Sequence, residues 1–350
     1  MIFNKGNAGS VELKELIGFV YKSINFSNLT TYISFAERYI KKIISPEVFS
    51  VAEVHYNSDH YHYTPDDETP PDPPHPEYAL LDELVAKIQF PVAINAYRKY
   101  VPSSDLIHSD KGRQIFVSEQ EKPAFEWQIE KDNENLITLE HEAIDVLLEF
   151  LDANLDTTYA DDDDEGTQIQ LLPWGTTDAF KATRELFIPN VEEFEKVFLI
   201  GGSRMTYLSL VPFIRSIQDN DIRPCLGEDR YCEIKEQFID GDISADNKII
   251  LDKLCPPLGL LSLSLAVKRL SAEVLPSGIF TRITANVIKG KTPASKQDRN
   301  EIASSFEKDG QHELLKLQEY LRKIDTAASG ETFTAMEPKV IDPLKKFVRL

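Results

Sequence analysis

Three cysteines in 350 residues, Cys225, Cys232 and Cys255, are too few and too unevenly placed for a disulfide framework, and no two form a CxxC pair for zinc or redox work. Basic side chains are also short: 38 lysines and arginines face 58 acids, leaving a formal charge of -20. A duplex is held mainly by cations set against its phosphates. The deficit therefore argues against a sequence-specific DNA reader, and against a surface that binds anionic membrane over its whole extent. Long apolar runs are missing as well. The opening MIFNKGNAGS has no apolar h-region and no run of 18 apolar residues occurs, so the expectation is an intracellular protein with no membrane partner. What remains is ordinary for a globular chain. Hydrophobic residues make up 42% and charged residues 27%, with a mean hydropathy of -0.29, which is enough apolar surface for two domains of usual size.

The chain repeats itself faintly. Tyr32-Ile33-Ser34-Phe35 returns as Tyr207-Leu208-Ser209-Leu210, and Phe19 returns as Phe194 at the same spacing. Leu81-Asp82-Glu83-Leu84 returns as Leu251-Asp252-Lys253-Leu254, and Val101-Pro102-Ser103 as Leu275-Pro276-Ser277. Pro123-Ala124 and Glu149-Phe150-Leu151 match Pro293-Ala294 and Glu319-Tyr320-Leu321. Six matches keep one order while their spacing stays between 170 and 175. This reads as a divergent tandem duplication with halves over 11–155 and 186–325.

Periodicity makes both halves helical. Leu80, Leu81, Leu84, Val85 and Ile88 form one apolar stripe, with Pro91 expected to kink or end it. Leu258, Leu261 and Leu265 belong to a second apolar helix, opened by Pro256-Pro257 and closed by Pro276-Ser277-Gly278. Further stripes run through Ile144, Leu147 and Leu151, and through Leu314, Leu317 and Leu321. Asp110-Lys111-Gly112 is a turn signal before the alternating Gln114-Ile115-Phe116-Val117, and Ile279 to Ile283 reads as a matching short strand. The predicted fold is mainly α with small β-hairpins, in two tandem, divergently duplicated helical domains. The first covers 1–155 and carries a proline-rich loop at 65–76, where half of the residues are proline and four are acidic. An acidic linker, 156–185, contains Asp161 to Glu165; the second domain covers 186–325, and 326–350 is an extended tail. From Lys289 to the end there are 12 basic and 10 acidic residues, so the remainder carries -22 and this end is the least acidic part of the chain.

Candidate chemistry is thin. His55, His60 and His62, with His75 further on, interleave with Tyr56, Tyr61 and Tyr63 in a pattern that reads as a strand with His60 and His62 on one face. Imidazole is the commonest transition-metal ligand, but a stable site needs three or four convergent ligands with support behind them. No acid or cysteine recurs at ligand spacing, and the second half has no equivalent histidines, so the segment is read as a polar aromatic hairpin without metal. Leu199-Ile200-Gly201-Gly202-Ser203-Arg204 lacks both the lysine of a phosphate loop and the third glycine of a dinucleotide fingerprint. Its glycines are expected to end one helix and let Ser203 cap the next. Asp161 to Glu165 lacks the spacing of a calcium loop. There is no GxSxG elbow and no Cys-His nucleophile signature, so no catalytic residue and no cofactor is expected. Trp127 and Trp174 are read as core and linker anchors.

The helix end formed by Ala93, Tyr97, Tyr100, Pro102, Ser104 and Asp105, the Gly112-Arg113-Gln114 turn and the segment PAFEWQI resemble an uncharacterised family of phage and prophage proteins encoded among head and tail genes. Phe187-Ile188-Pro189-Asn190, Gly202 to Leu208 and Leu275 to Phe280 fit the same picture, and the resemblance covers most of residues 11–288. It implies a virion structural protein, a head-tail connector or adaptor in a homo-oligomeric ring between portal and tail proteins, assembled in the host cytoplasm, with at most transient, non-specific passage of DNA. It supplies no catalytic residues. An acidic lumen would let a duplex slide, because phosphates are repelled rather than bound. Alternatives are a component of a contractile injection machine, or a helical small-molecule binder or enzyme with a pocket between the halves. Phe333, Val340, Ile341, Leu344, Phe347 and Leu350 are the expected partner interface, since Pro338 and Pro343 prevent one long helix there.

Overall fold

The computed structural model describes residues 1–18, 25–61, 76–110, 112–114, 124–160, 168–270, 272–275, 278–281 and 295–329. Helices Gly9–Leu16 (α1), Phe26–Ile44 (α2), Pro46–Asn57 (α3) and Pro76–Ser104 (α4) lead to the hairpin Ile107–Ser109 and Gly112–Gln114 (β1, β2), then to Glu126–Ala153 (α5). A second hairpin, Thr158–Ala160 with Gln168–Gln170 (β3, β4), precedes two short helices, Asp178–Arg184 (α6) and Val191–Glu195 (α7). Next come Arg204–Ile217 (α8), a π-helical turn at Gln218–Ile222, Arg223–Leu226 (α9), Glu228–Asp240 (α10) and Ala245–Arg269 (α11). The hairpin Ala272–Leu275 with Gly278–Thr281 (β5, β6) and the helix Lys296–Ser329 (α12) complete the order. The protein is mainly α, and each hairpin is an isolated antiparallel pair, Ile107 facing Gln114 and Ala272 facing Thr281. Strand β2 ends at Gln114 and β6 at Thr281; Ile115 to Val117, Arg282 and Ile283 lie outside the described residues.

Two hydrophobic cores form, each around a long helix. In the first, Leu84, Val85, Ile88, Val92, Ala93 and Ala96 of α4 are fully buried against α1, α2, α3 and α5. Residues spaced this way leave little of the helix surface polar, so α4 must be covered on several sides. Ile2 and Phe3 close one end, where the Gln89 side chain donates to the Ile2 carbonyl at 2.6 Å. Buried Glu140 of α5 accepts from Asn95 at 2.7 Å and Arg98 at 2.8 Å, stitching α5 to α4. In the second core Leu254, Leu258, Leu261 and Ala266 of α11 are buried against α8 and α12. There α12 comes very close: a Cβ on Gly310 would stand 2.8 Å from Leu261 Cγ.

Both halves turn the same corner. After α2, Ser45 adopts φ 76 and ψ 155 before α3 begins; after α9, Gly227 adopts φ 79 and ψ 155 before α10 begins. Four residues before the first corner, Lys41 Nζ lies 4.2 Å from the ring of Phe49, four residues after it. Four residues before the second, the Arg223 guanidinium lies 5.2 Å from the ring of Tyr231, four residues after it. Behind the corners, Phe49, Ala52 and Tyr56 of α3 and Tyr231, Ile234 and Phe238 of α10 point into their cores at identical steps.

Several sequence expectations are corrected. Helix α11 starts at Ala245, capped by Ser244, rather than at Pro256-Pro257. The prolines are tolerated because the carbonyls they leave without a donor, those of Asp252 and Lys253, belong to exposed residues that water can reach. Of the two outcomes expected at Pro91, an end to the helix is not found: α4 continues to Ser104, since both of its parts bury apolar side chains in one core. The stretch 156–185 is more than a linker: Leu171, Leu172 and Trp174 are buried in the first core. Helix α12 extends to Ser329, past the expected start of the tail at 326.

Replacing Ser45 by glycine should stabilise the protein. A non-glycine residue at this φ and ψ costs ~1–3 kcal/mol, while the added freedom of glycine in the unfolded chain costs only ~0.4–1 kcal/mol. A net gain of about 1 kcal/mol is expected for Ser45→Gly in urea unfolding; an unchanged or lower midpoint refutes the strain argument.

Candidate functional site: the joint between the cores and its surroundings

The two cores meet where the N-terminus of α8 lands on α5. Asp145 and Asp152 stand two turns apart on α5 and face it. Asp145 accepts from the Met205 backbone N–H at 3.0 Å, in the first turn of α8. Asp152 accepts from the Trp174 indole N–H at 2.8 Å and from the Arg204 guanidinium. A carboxylate at a helix N-terminus meets free N–H groups and the positive end of the helix dipole. Met205 and Leu208 pack on the first core beside this polar seam. Burial raises the Asp145 carboxyl above its ordinary value of 3.8, opposed by the hydrogen bonds from Met205 and Arg204.

A cavity of about 50 Å³ lies at this seam among Ile43, Leu148, Trp174, Phe180, Arg204 and Leu208. That volume suits a water or two and falls well short of the ~300–1,000 Å³ of a ligand pocket. Beside it a wider, open groove of about 630 Å³ runs between Leu155, Phe180, Arg184, Phe238 and Ile239. It has no serine, cysteine or histidine in its walls.

The other candidates separate. His55 and Tyr56 lie on α3, so that part of the expected hairpin is corrected to a helix whose stripe Val48, Phe49, Ala52 and Tyr56 needs helical spacing to reach the core, while His60 and Tyr61 follow in a turn and Tyr63 lies outside the described residues. His55 is buried, and its Nε2–H donates to Asp82 at 2.7 Å. The Tyr78 ring stacks on His60 at 4.6 Å and on His55 at 5.9 Å. These contacts account for both imidazoles structurally; His62 and His75 lie outside the described residues, among which no group of three potential metal ligands occurs. The Gly201-Gly202 turn, at φ 74 and φ 68, ends in Ser203, which caps α8 by accepting from the Thr206 N–H at 3.2 Å. Its free amides are already used: Glu195 Oε1 accepts from Ile200 at 3.1 Å and Gly202 at 2.7 Å. A carboxylate from the chain itself therefore occupies the place an external anion would take. Burial pushes the Cys255 thiol up to about 12 and raises Cys225, and exposed Cys232 is raised as well, the opposite of an activated nucleophile.

Trp174 is the buried anchor expected of it, but Trp127 is not: it is 62% exposed, next to Phe125 at 68%. The sequence signal was available, since Glu126, Gln128 and Glu130 around it are polar. Phe333, Val340, Ile341, Leu344, Phe347 and Leu350 all lie outside the described residues. Helix α11 is long and apolar enough to cross a membrane by composition, but 56% of its apolar window is buried in the protein, as in any core helix. Asp145 and Asp152 were not found by sequence reasoning, because two acids among 58 carry no pattern of their own.

The fold and the joint define a helical protein with two cores that meet where α8 lands on α5. The chain belongs to the family of unknown function DUF6712, whose model matches residues 55–167 and 222–327, well over half of the sequence. No curated protein and no solved structure matches it.

Asp145→Ala should cost ~1–3 kcal/mol by leaving the Met205 N–H without a partner, whereas Asp145→Asn keeps the acceptor. Because its pKa is raised, the folded state holds this proton more tightly than the unfolded chain. Stability from the group is therefore present below pH 3.8 and lost as pH rises through the raised value. Asparagine lacks that loss, so Asp145→Asn should compare best with wild type at neutral pH and worst in acid, measured by urea unfolding across pH.

The histidines give a separate expectation: zinc added to the purified protein should bind with no stoichiometric site, read by calorimetry and elemental analysis. His55→Ala should lower stability by ~1–3 kcal/mol through the orphaned Asp82, and His60→Ala by less.

Proposed function

We propose that this protein is a structural adaptor built from two tandem, divergently duplicated helical domains, and that it works as a head-tail connector in a phage-like particle. The observation that carries the reading is the repeated corner. Lys41, Ser45 and Phe49 stand to their core as Arg223, Gly227 and Tyr231 stand to theirs. The next elements repeat too. Leu84, Ile88 and Ala96 of α4 and Leu254, Leu258 and Ala266 of α11 are buried at a spacing of 170, and at that spacing Ile144, Leu147 and Leu151 of α5 match Leu314, Leu317 and Leu321 of α12. In each half a hairpin joins the two helices. The family model, matching twice, supports the same division.

One detail of the sequence reading changes within this proposal. Tyr32 stands about three and a half turns before its corner and Tyr207 about five and a half before its own, so these two are not equivalent. Counted back from the two corners, Phe26 is the counterpart of Tyr207 and Ile33 that of Ile214, with the π-helical turn adding a residue before the second corner.

A duplicated subunit presents two related but unlike faces, which is what head-to-tail contacts in a ring require. The placement in a phage-like particle, between portal and tail, rests on the resemblance carried by Ala93 to Asp105, Gly112 to Gln114 and Pro123 to Ile129. A ligand-binding reading would use the open groove by Phe180 and Phe238, because the cavity at the seam holds only about 50 Å³.

The purified full chain should form closed rings of one stoichiometry, alone or on addition of a portal or tail component, in native mass spectrometry and negative-stain images. A concentration-independent monomer that ignores both components overturns the proposal.

A further inference from the structure

The corner at Ser45 carries more than a turn requires. Its counterpart in the second half uses Gly227 at the same φ and ψ, where a glycine is free of strain. Ser45 holds that backbone in spite of its side chain, and what the side chain brings is a hydroxyl. The residue is only 7% exposed, and Ser45 Oγ has no hydrogen-bond partner. A strained backbone and an unpaired buried hydroxyl at one residue are features that binding sites keep.

The hydroxyl lines an open groove of about 560 Å³ together with Arg38, Lys41 and Lys42 of α2, Pro46 of α3, and Asp178 and Ala179 of α6. Arg38, Lys41, Lys42 and Ser45 follow at steps of three, one and three, so they share one side of α2 and of the corner after it. Cations near a helix C-terminus are ordinary complements of its dipole. Cations left without a carboxylate on a chain with 58 acids are less so. Lys41 meets Glu53 at 3.7 Å, whereas Arg38 and Lys42 meet no carboxylate among the described residues. Three cations thus face one acid, Asp178, in the walls of the groove.

The second corner shows what such a place takes. There Arg223, the counterpart of Lys41, is held by both oxygens of Glu228, its Nε donating at 2.8 Å. The counterpart of Glu228 in the first half is Pro46, which has no acid to offer. Helix α3 begins there uncapped, because Ser45 accepts from none of its amides, so the positive end of its dipole adds to the cations. Glu47, exposed in the first turn of α3, responds to these groups: the neighbouring Ser45 hydroxyl and its own N–H hold its carboxyl below the ordinary 4.5. Negative charge is favoured at this corner.

We propose that the groove at Ser45 binds a phosphate group, free or carried on a small molecule, with Ser45 Oγ and the Arg38, Lys41 and Lys42 side chains as donors. A carboxylate suits one guanidinium, as at Arg223. A dianion with oxygens on all sides suits three cations and a hydroxyl arranged along one helix face. The groove is wider than the anion, so it has room for the remainder of a phosphomonoester.

The test titrates the full chain by calorimetry with inorganic phosphate and with phenyl phosphate, in chloride buffer of matched ionic strength. One site per chain is expected, weakened roughly tenfold by Arg38→Gln/Lys42→Gln and by Ser45→Ala, which keeps the backbone strain and removes only the hydroxyl. Ser45→Gly should unfold at higher urea than wild type without phosphate and yet lose the site, which separates strain from binding. Phosphate also stabilises proteins through exclusion from their surface, so the reading that counts is the difference between wild type and these variants; circular dichroism checks that each folds. Binding of phenyl phosphate but not of inorganic phosphate assigns the site to a carried phosphate and upholds the proposal. No saturable heat with either probe, or equal binding by the variants, overturns it. A DNA duplex that binds through Arg38 and Lys42 where neither small probe does makes the occupant nucleic acid and overturns it as well.

Discussion

Each half of this protein depends on covering one long helix that is apolar over most of its circumference. Helix α4 carries buried side chains at steps of one, three and four residues, and α11 does the same. A helix of that kind cannot rest on a surface with one face in water; it needs neighbours on several sides. The helix before the corner, the helix after it and the helix beyond the hairpin supply them. The corner fixes the angle between two of these neighbours, and the hairpin reverses the chain so that the helix beyond it packs back along the long helix. The remaining architecture follows from that demand.

The halves meet it with different chemistry. In the first, α5 is held to α4 by Glu140, buried between Asn95 and Arg98. At the matching place in the second stands Gly310, which lets α12 close directly onto Leu261. A buried charge needs every partner in place and adds little net stability over good apolar packing, but it fixes one register. Close contact at a glycine fixes register by shape. Likewise Ser45 and Gly227 hold the same backbone, one with strain and one without. The geometry of the corner is the same in both halves while the side chains that hold it differ.

What the sequence made legible was the helices with a clean apolar stripe and the pairing of Leu84 with Leu254, because burial at fixed spacing leaves a direct trace. The register of the first helices was not legible: Tyr32 and Tyr207 stand at different distances from their corners, and the π-helical turn at Gln218–Ile222 lies between Tyr207 and the second corner. Alternating histidines and tyrosines imitated a strand, although the stripe through Val48, Ala52 and Tyr56 already had helical period. Proline was over-read at Pro256-Pro257, where exposure of the freed carbonyls removes most of the cost. The carboxylates of the joint had no local signal at all, since what distinguishes Asp145 and Asp152 is a helix end arriving from sixty residues away.

That joint also shows how the chain neutralises its carboxylates. On a chain of net charge -20, bringing two acidic surfaces together is unfavourable unless carboxylates are neutralised at the contact. Within one molecule the neutralising groups are the α8 N-terminus and Arg204, both already committed. The cations that could do the same between molecules are concentrated past Lys289, where basic residues outnumber acids. Charge is therefore unevenly spread along the chain, and its least acidic end meets the least repulsion from an acidic surface.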